Sequence, residues 1–219
     1  MNKPKIIQIE GIDGAFKETN SKLLEEYLKN KGYNVLRMSF PNYNNESSIF
    51  VRKYLNGEYD IDNQYIVATF FVYDIYNWFN KIKNSADYEK IDFIIFDRYI
   101  GSSMIYQTAK LPIEDKKIDF LIKLDELYKT LKLPIPDCTI YLNLPVDLSI
   151  KSINARGLKK DIIEKDIEYL KRIHLVGMFV AKLKEWNVIE CSNNGIFKTK
   201  EEIFNVIKQI IVQFISYKK

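Results

Sequence analysis

Lys17, in the run Gly11-Ile-Asp-Gly-Ala-Phe-Lys17-Glu18-Thr19, is the side chain with the plainest chemical purpose in this sequence. An ammonium group that opens a helix behind a glycine turn neutralises phosphate oxygens, while backbone N–H groups wrap the anion. The working pattern is G-x-x-x-x-G-K-S/T. Gly11, Gly14 and Lys17 fit it, with Ala15 inside the turn. Phe16 replaces the last glycine; if that position needs a left-handed backbone, a β-carbon there costs about 1–2 kcal/mol. Glu18 replaces the hydroxyl that would hold magnesium. It could ligate the metal itself, but it adds negative charge beside a polyphosphate. Thr19 brings a hydroxyl one residue late. Taken alone, the motif is either a working phosphate loop or a strand-turn-helix descended from one.

Two further groups of residues could serve the same chemistry. Asp97-Arg98-Tyr99 follows the apolar run Phe93 to Phe96. A carboxylate and a guanidinium at a strand end can orient a nucleophile or metal-bound water and stabilise a phosphoryl group in transfer. They can equally be a structural ion pair. Arg156, Lys159 and Lys160 fall between two helical patterns. They read as a solvated basic loop or as a mobile lid that lowers charge onto phosphates.

The elements that must position these groups alternate along the chain. Strands are expected at Ile6 to Ile9, Asn34 to Ser39, Phe93 to Phe96, Cys138 to Leu144 and Val188 to Glu190. Helices are expected at Lys17 to Lys31, from the loop at Asn42 to Glu46 through Leu55, and at Asn63 to Ile82, Gly101 to Lys110, Glu114 to Lys132, Val146 to Ala155, Asp161 to Glu185 and Lys200 to Ser216. The helix from Asn63 carries more aromatic rings than one buried stripe requires, so part of it lines a pocket or a partner surface, or all of it is core. Such alternation predicts an α/β fold with a parallel sheet covered on both faces, and ligands beyond the carboxyl ends of the strands.

The 219 residues suit one domain, and a net charge of +4 without a dense basic stripe argues against nucleic-acid binding. Cys138 and Cys191 are far apart and have no partners at metal spacing, which predicts no disulfide framework and a reducing compartment. His174, the single histidine, reads as structural. No signal-like segment or membrane-length apolar run is found, so a cytosolic location and no membrane association are expected.

The three groups, in this order, resemble the thymidylate kinase family of nucleoside-monophosphate kinases over almost the whole chain. Glu10-Gly-Ile-Asp-Gly14 matches E-G-x-D-G, Phe40-Pro41 matches the second-strand F-P, and Phe70-Phe-Val-Tyr-Asp74 is similar to F-x-x-D-R. Asp97-Arg-Tyr99 matches D-R-Y/H, and Ser102-Ser103 with Tyr106-Gln107 matches S-S-x-x-Y-Q. Leu133-Pro-Ile-Pro-Asp137 matches the P-x-P-D strand entry, and Lys160 to Asp166 with Tyr169-Leu170 is similar to the segment joining lid and helix. The variants Phe40-Pro-Asn-Tyr43, Tyr54-Leu-Asn-Gly57 and Lys160-Asp-Ile look closest to the branch found in clostridia.

The resemblance implies a three-layer α/β/α P-loop kinase fold with a five-stranded parallel sheet, a single domain over 1–219 and a lid at about 154–165. It implies transfer of the ATP γ-phosphate to dTMP with Mg2+ in a homodimer. Gly11, Gly14, Ala15, Lys17, Glu18 and Thr19 would meet ATP. Asp13, Phe40, Phe71, Arg98, Ser103, Tyr106 and Gln107 would meet the acceptor, with Phe71 stacked on thymine. Asp97, and more weakly Glu18, would lie at the metal. Lys17, Asp97, Arg98, Asp13 and Arg156 would carry catalysis. Against the family pattern, Phe16 and Glu18 alter the ATP side, Ile75 stands in place of the arginine of F-x-x-D-R, Tyr43 replaces an arginine common after F-P, and Asn143 occupies a strand end where an acid is frequent. Losing one contact to a charged group costs roughly 1.5–3 kcal/mol, at least about tenfold in affinity. A nucleotide-binding pseudoenzyme of the same fold is the alternative, and a partner-binding protein built on the aromatic helix a third.

Overall fold

The computed structural model describes residues 3–112, 114–157 and 161–216. Five strands, β1 (Lys5–Gly11), β2 (Val35–Ser39), β3 (Phe93–Asp97), β4 (Cys138–Asn143) and β5 (Asn187–Glu190), form one sheet in the order β2-β3-β1-β4-β5. Every pairing is parallel, from Lys5 opposite Phe93 to Asn143 opposite Glu190. β1, β3 and β4 are buried on both faces, which is why they read as continuous apolar runs rather than as alternation.

The helices are α1 (Lys17–Asn30), α2 (Ile49–Leu55), α3 (Gln64–Lys83), α4 (Ile100–Tyr106), α5 (Glu114–Thr130), α6 (Val146–Ala155), α7 (Ile162–Lys165), α8 (Ile167–Leu183) and α9 (Lys200–Ser216). α1 and α9 pack together on one face of the sheet, while α3, α4, α5 and α8 cover the other. Much of α3 turns inward: Phe40, Trp78, Phe96 and Tyr99 form an aromatic cluster in which Phe96 and Tyr99 stack at 4.1 Å. α8 lies so close to β4 that a β-carbon on Gly177 would sit 2.1 Å from the Tyr141 hydroxyl oxygen.

One long helix was expected from Asp161 to Glu185, and the chain breaks it. Asp161 caps the single turn α7 through Ile163 N–H and Glu164 N–H, and Asp166, in extended conformation, restarts the chain as the cap of α8 through Tyr169 N–H at 2.8 Å. Two aspartates at helix starts outweigh the continuous apolar period between them. The segment from Gly101 to Lys110 likewise divides into α4 and a 3-10 turn at Thr108–Lys110. After β5 a small hairpin, β6 (Ser192–Asn193) and β7 (Ile196–Phe197), turns through Asn194-Gly195, both at positive φ.

β1 sits between β3 and β4, and the chain leaves it first toward one edge and later toward the other. Such a reversal opens a crevice at the carboxyl ends of these strands.

Candidate active site

The turn after β1 is shaped by its glycines and by α6. Gly14 has φ +78°, and a β-carbon there would meet the Ser149 carbonyl oxygen at 2.9 Å; on Gly11 it would meet the Leu142 carbonyl oxygen at 2.6 Å. Four carbonyls of the turn are drawn outward. Ser149 Oγ donates to Asp13 O (2.6 Å) and Ser152 Oγ to Gly14 O (2.9 Å). Lys17 Nζ donates to Gly11 O (2.9 Å) and Ile12 O (2.8 Å). Among the described residues, no acceptor meets the backbone N–H groups of Gly14, Phe16, Lys17, Glu18 or Thr19. Unpaired amides at the amino end of a 14-residue helix form an anion cradle.

Phe16 is left-handed, at φ 60° and ψ 25°. Its ring packs edge-on against Phe197 of the hairpin at 5.6 Å. Lys17 is buried, and burial, with repulsion from Arg98, draws its pKa down to about 8 against the pull of Asp13, Asp97 and Glu10. Glu18 bonds Lys22 on the exposed side of α1 at 2.6 Å, and Thr19 is exposed at the rim.

Across the crevice, Arg98 also holds a left-handed backbone, at φ 65°, and donates its N–H to Ile9 O. Its guanidinium pairs with Asp13 and donates to the Tyr106 hydroxyl (3.1 Å), which in turn donates to Asp13 Oδ2 (3.1 Å). Burial alone would raise the Asp13 pKa, but Arg98 and Lys17 hold it below the ordinary carboxylate range. Asp97 is buried at the end of β3.

Asp13, Gly14, Phe16, Lys17, Glu18, Thr19, Asp97, Arg98 and Tyr106 line one cleft of about 900 Å³. Phe40, Phe71, Ser103, Gln107, Ala15 and Arg156 line it too, as do Ile75 and Tyr43, so every expected site residue except Gly11 reaches the same space. Gly11 stands behind the turn, its carbonyl on Lys17. Gln107 Oε1 is buried without a hydrogen-bond partner, an acceptor left for a ligand. Arg156 pairs with Glu164 of α7, whereas Lys159 and Lys160 lie outside the described residues.

Sequence reading gave no role to four supporting side chains, although Asp74 fell within the F-x-x-D-R likeness. Ser149 and Ser152 are spaced to share a face of α6, but nothing local says that the face meets the loop. Asp74 accepts from Asn42 N–H (2.7 Å) and Ser47 Oγ (2.6 Å), and so fixes the loop after Phe40-Pro41; burial raises its pKa. Arg52 donates to Tyr43 O and Asn45 O in the same loop.

A metal fits only in part. No cluster of three acidic, His or Cys side chains able to hold an ion occurs among the described residues. Mg2+ needs only one or two carboxylates when phosphates and waters complete its shell, and Asp97, in the cleft, would be one. The Glu18 carboxylate lines the same cleft and accepts from Lys22 at 2.6 Å.

An amide cradle set against a guanidinium–carboxylate cluster, at the switch point of a parallel sheet, defines a nucleotide-dependent phosphotransferase of the α/β/α class. The thymidylate kinase family model matches residues 9–203. A probable thymidylate kinase of Thermococcus onnurineus is 36% identical over 174 residues, covering 76% of this chain and 79% of that one. One of Thermococcus gammatolerans is 30% identical over 213 residues, 94% and 97% of the two chains. The solved thymidylate kinase of Candida albicans superposes with a TM-score of 0.73 at 20% identity over 96% of this chain and 92% of that one, a likeness of fold. The chain belongs to the thymidylate kinase family, whose members are nucleoside-monophosphate kinases.

Proposed function

We propose that this chain moves the γ-phosphoryl group of ATP onto the phosphate of dTMP, giving ADP and dTDP, with Mg2+ and with a donor side weakened by Phe16 and Glu18. The observation that carries the reading is the set of unpaired N–H groups at the start of α1, at the edge of the cleft that Gly14, Phe16 and Lys17 line. In this reading the amides and Lys17 bind the donor phosphates, Lys17 exchanging its two carbonyl partners for phosphate oxygens. Arg98 binds the acceptor phosphate and Asp13 holds Arg98 in place. Ser103, Tyr106 and Gln107 line the acceptor site, and Phe71 stacks on the base. Arg156 leaves Glu164 when the lid lowers, which excludes water. Bound magnesium, held by Asp97, would neutralise charge on the phosphates. One phosphorus–oxygen bond to the ADP oxygen breaks, and one to a dTMP phosphate oxygen forms.

The proposal takes 1–219 as one domain with a lid at about 154–165, nearest the clostridial-like branch and cytoplasmic. No helix among the described residues is long and apolar enough to cross a membrane. It takes a homodimer as the working form. Tyr65, Ile66 and Tyr73 of α3 and Ile118 and Ile122 of α5 are exposed, and Tyr65 joins the two helices by donating to Asp119 (3.2 Å). An apolar face of this kind suits a second copy.

A coupled assay for ADP with ATP, Mg2+ and dTMP tests the reading; no ADP above the enzyme-free rate across the common nucleoside monophosphates retires it. The Glu18–Lys22 bond favours a second reading, a nucleotide-binding pseudoenzyme, because no hydroxyl stands at position 18. That reading expects Phe16→Gly with Glu18→Thr to gain ATP affinity, and tight ATP binding by the parent that the double change leaves untouched counts against it.

A further inference from the structure

Glu10 has no part in the reaction as set out above, yet it is fully buried between the phosphate-binding turn and α4. Its carboxylate accepts from Tyr99 N–H (2.9 Å) and from Ser102 Oγ (2.7 Å). Tyr99 follows directly on Arg98 and Ser102 lies in the first turn of α4 beyond it; the left-handed backbone of Arg98 is strained and persists only where its surroundings over-determine it. α4 is pressed onto this side chain: a β-carbon on Gly101 would fall 2.9 Å from Glu10 Cγ. Gln8, two residues earlier on β1, completes the contact, its Oε1 accepting from Gly101 N–H (3.4 Å) and its Nε2 donating to Thr139 (3.0 Å). A buried carboxylate is costly unless hydrogen-bonded, so its two bonds to one turn mark a fixed attachment.

We propose that Glu10 is a positioning residue that clamps the amino end of α4 and thereby sets the Arg98 guanidinium where the acceptor phosphate must meet it. The clamp rests on the acceptor role given to Arg98 above. Asp13 and Tyr106 hold the far end of the Arg98 side chain, while Glu10 holds the backbone from which it springs. A sequence position on one strand thus governs a group on another, across the β1–β3 pairing.

Two variants separate the clamp from general packing. In Glu10→Gln the amide oxygen still accepts from Tyr99 N–H and the amide N–H₂ donates to Ser102 Oγ. In Glu10→Met neither bond is made at similar volume. Glu10→Gln is expected to keep kcat/KM for dTMP within a few-fold of the parent. Glu10→Met is expected to lose about 10- to 100-fold, since small misplacements of a catalytic group cost on that order, with KM for ATP unchanged. Parallel losses for both nucleotides, or parent-like kinetics in Glu10→Met, overturn the clamp. If Glu10→Met does not fold, Ser102→Ala removes one of the two bonds and must show the same split. Absence of turnover in the parent overturns the kinase reading instead; calorimetric dTMP affinity, expected to fall in Glu10→Met and to hold in Glu10→Gln, then decides the clamp on its own.

Discussion

Removing the Phe16 side chain in two ways separates the ring from the backbone beneath it. Phe16→Ala deletes the ring and its edge contact with Phe197 at 5.6 Å but leaves a β-carbon at φ 60°. Phe16→Gly deletes the same ring and also releases about 1–2 kcal/mol of left-handed strain. The ring is half-buried, so its loss costs about 1 kcal/mol of apolar burial. The aromatic pair adds about 0.5–1.5 kcal/mol. Phe16→Ala should therefore lose about 2 kcal/mol of stability and Phe16→Gly about 0.5 kcal/mol, the difference being the left-handed strain that only glycine relieves. In a right-handed helical turn the order would be the reverse, because glycine loses more backbone freedom on folding. Urea denaturation followed by circular dichroism, with midpoints compared at a common m-value, reads the difference. An alanine variant as stable as the glycine variant refutes the view that the phosphate loop imposes the left-handed conformation on residue 16.

Lys17→Met should abolish turnover by about 100-fold or more, in line with removal of other charge-stabilising groups, while dTMP binding by calorimetry is kept. Stability should depend on Glu10 below neutrality. Burial raises its folded pKa from 4.5 to about 7, so between those values the folded state holds a proton that the unfolded chain has lost. Stability should then fall as pH rises through that window, by at most about 1.4 kcal/mol per pH unit from this group, and Glu10→Gln should flatten the slope in pH-dependent denaturation. Ile66→Asp with Ile122→Asp should give a monomer in sedimentation velocity; an unchanged dimer would place the interface elsewhere.

The sheet was legible because its central strands are continuous apolar runs, and the residues gathered at the cleft because Gly14, Lys17, Asp97 and Arg98 fall at the ends of such runs. The demand of position 16 was legible too, since a glycine pattern with a phenylalanine in it poses the question of φ directly. The direction of the Phe16 ring was not, because it depends on a hairpin near the other end of the chain. Asn194-Gly195 is a hairpin signal that the search for strands passed over. The break at Asp166 was hidden because apolar residues continue in helical phase on both sides of it. The outward pull on the loop carbonyls by Ser149 and Ser152 is a matter of packing between α6 and the turn, on which local sequence is silent.

Transfer of label from γ-labelled ATP, resolved by chromatography of the nucleotides, tests the central claim most directly. The account predicts radioactive dTDP that depends on dTMP and Mg2+ and disappears in Lys17→Met. Label that stays in ATP, or leaves only as free phosphate in the presence of dTMP, would contradict it.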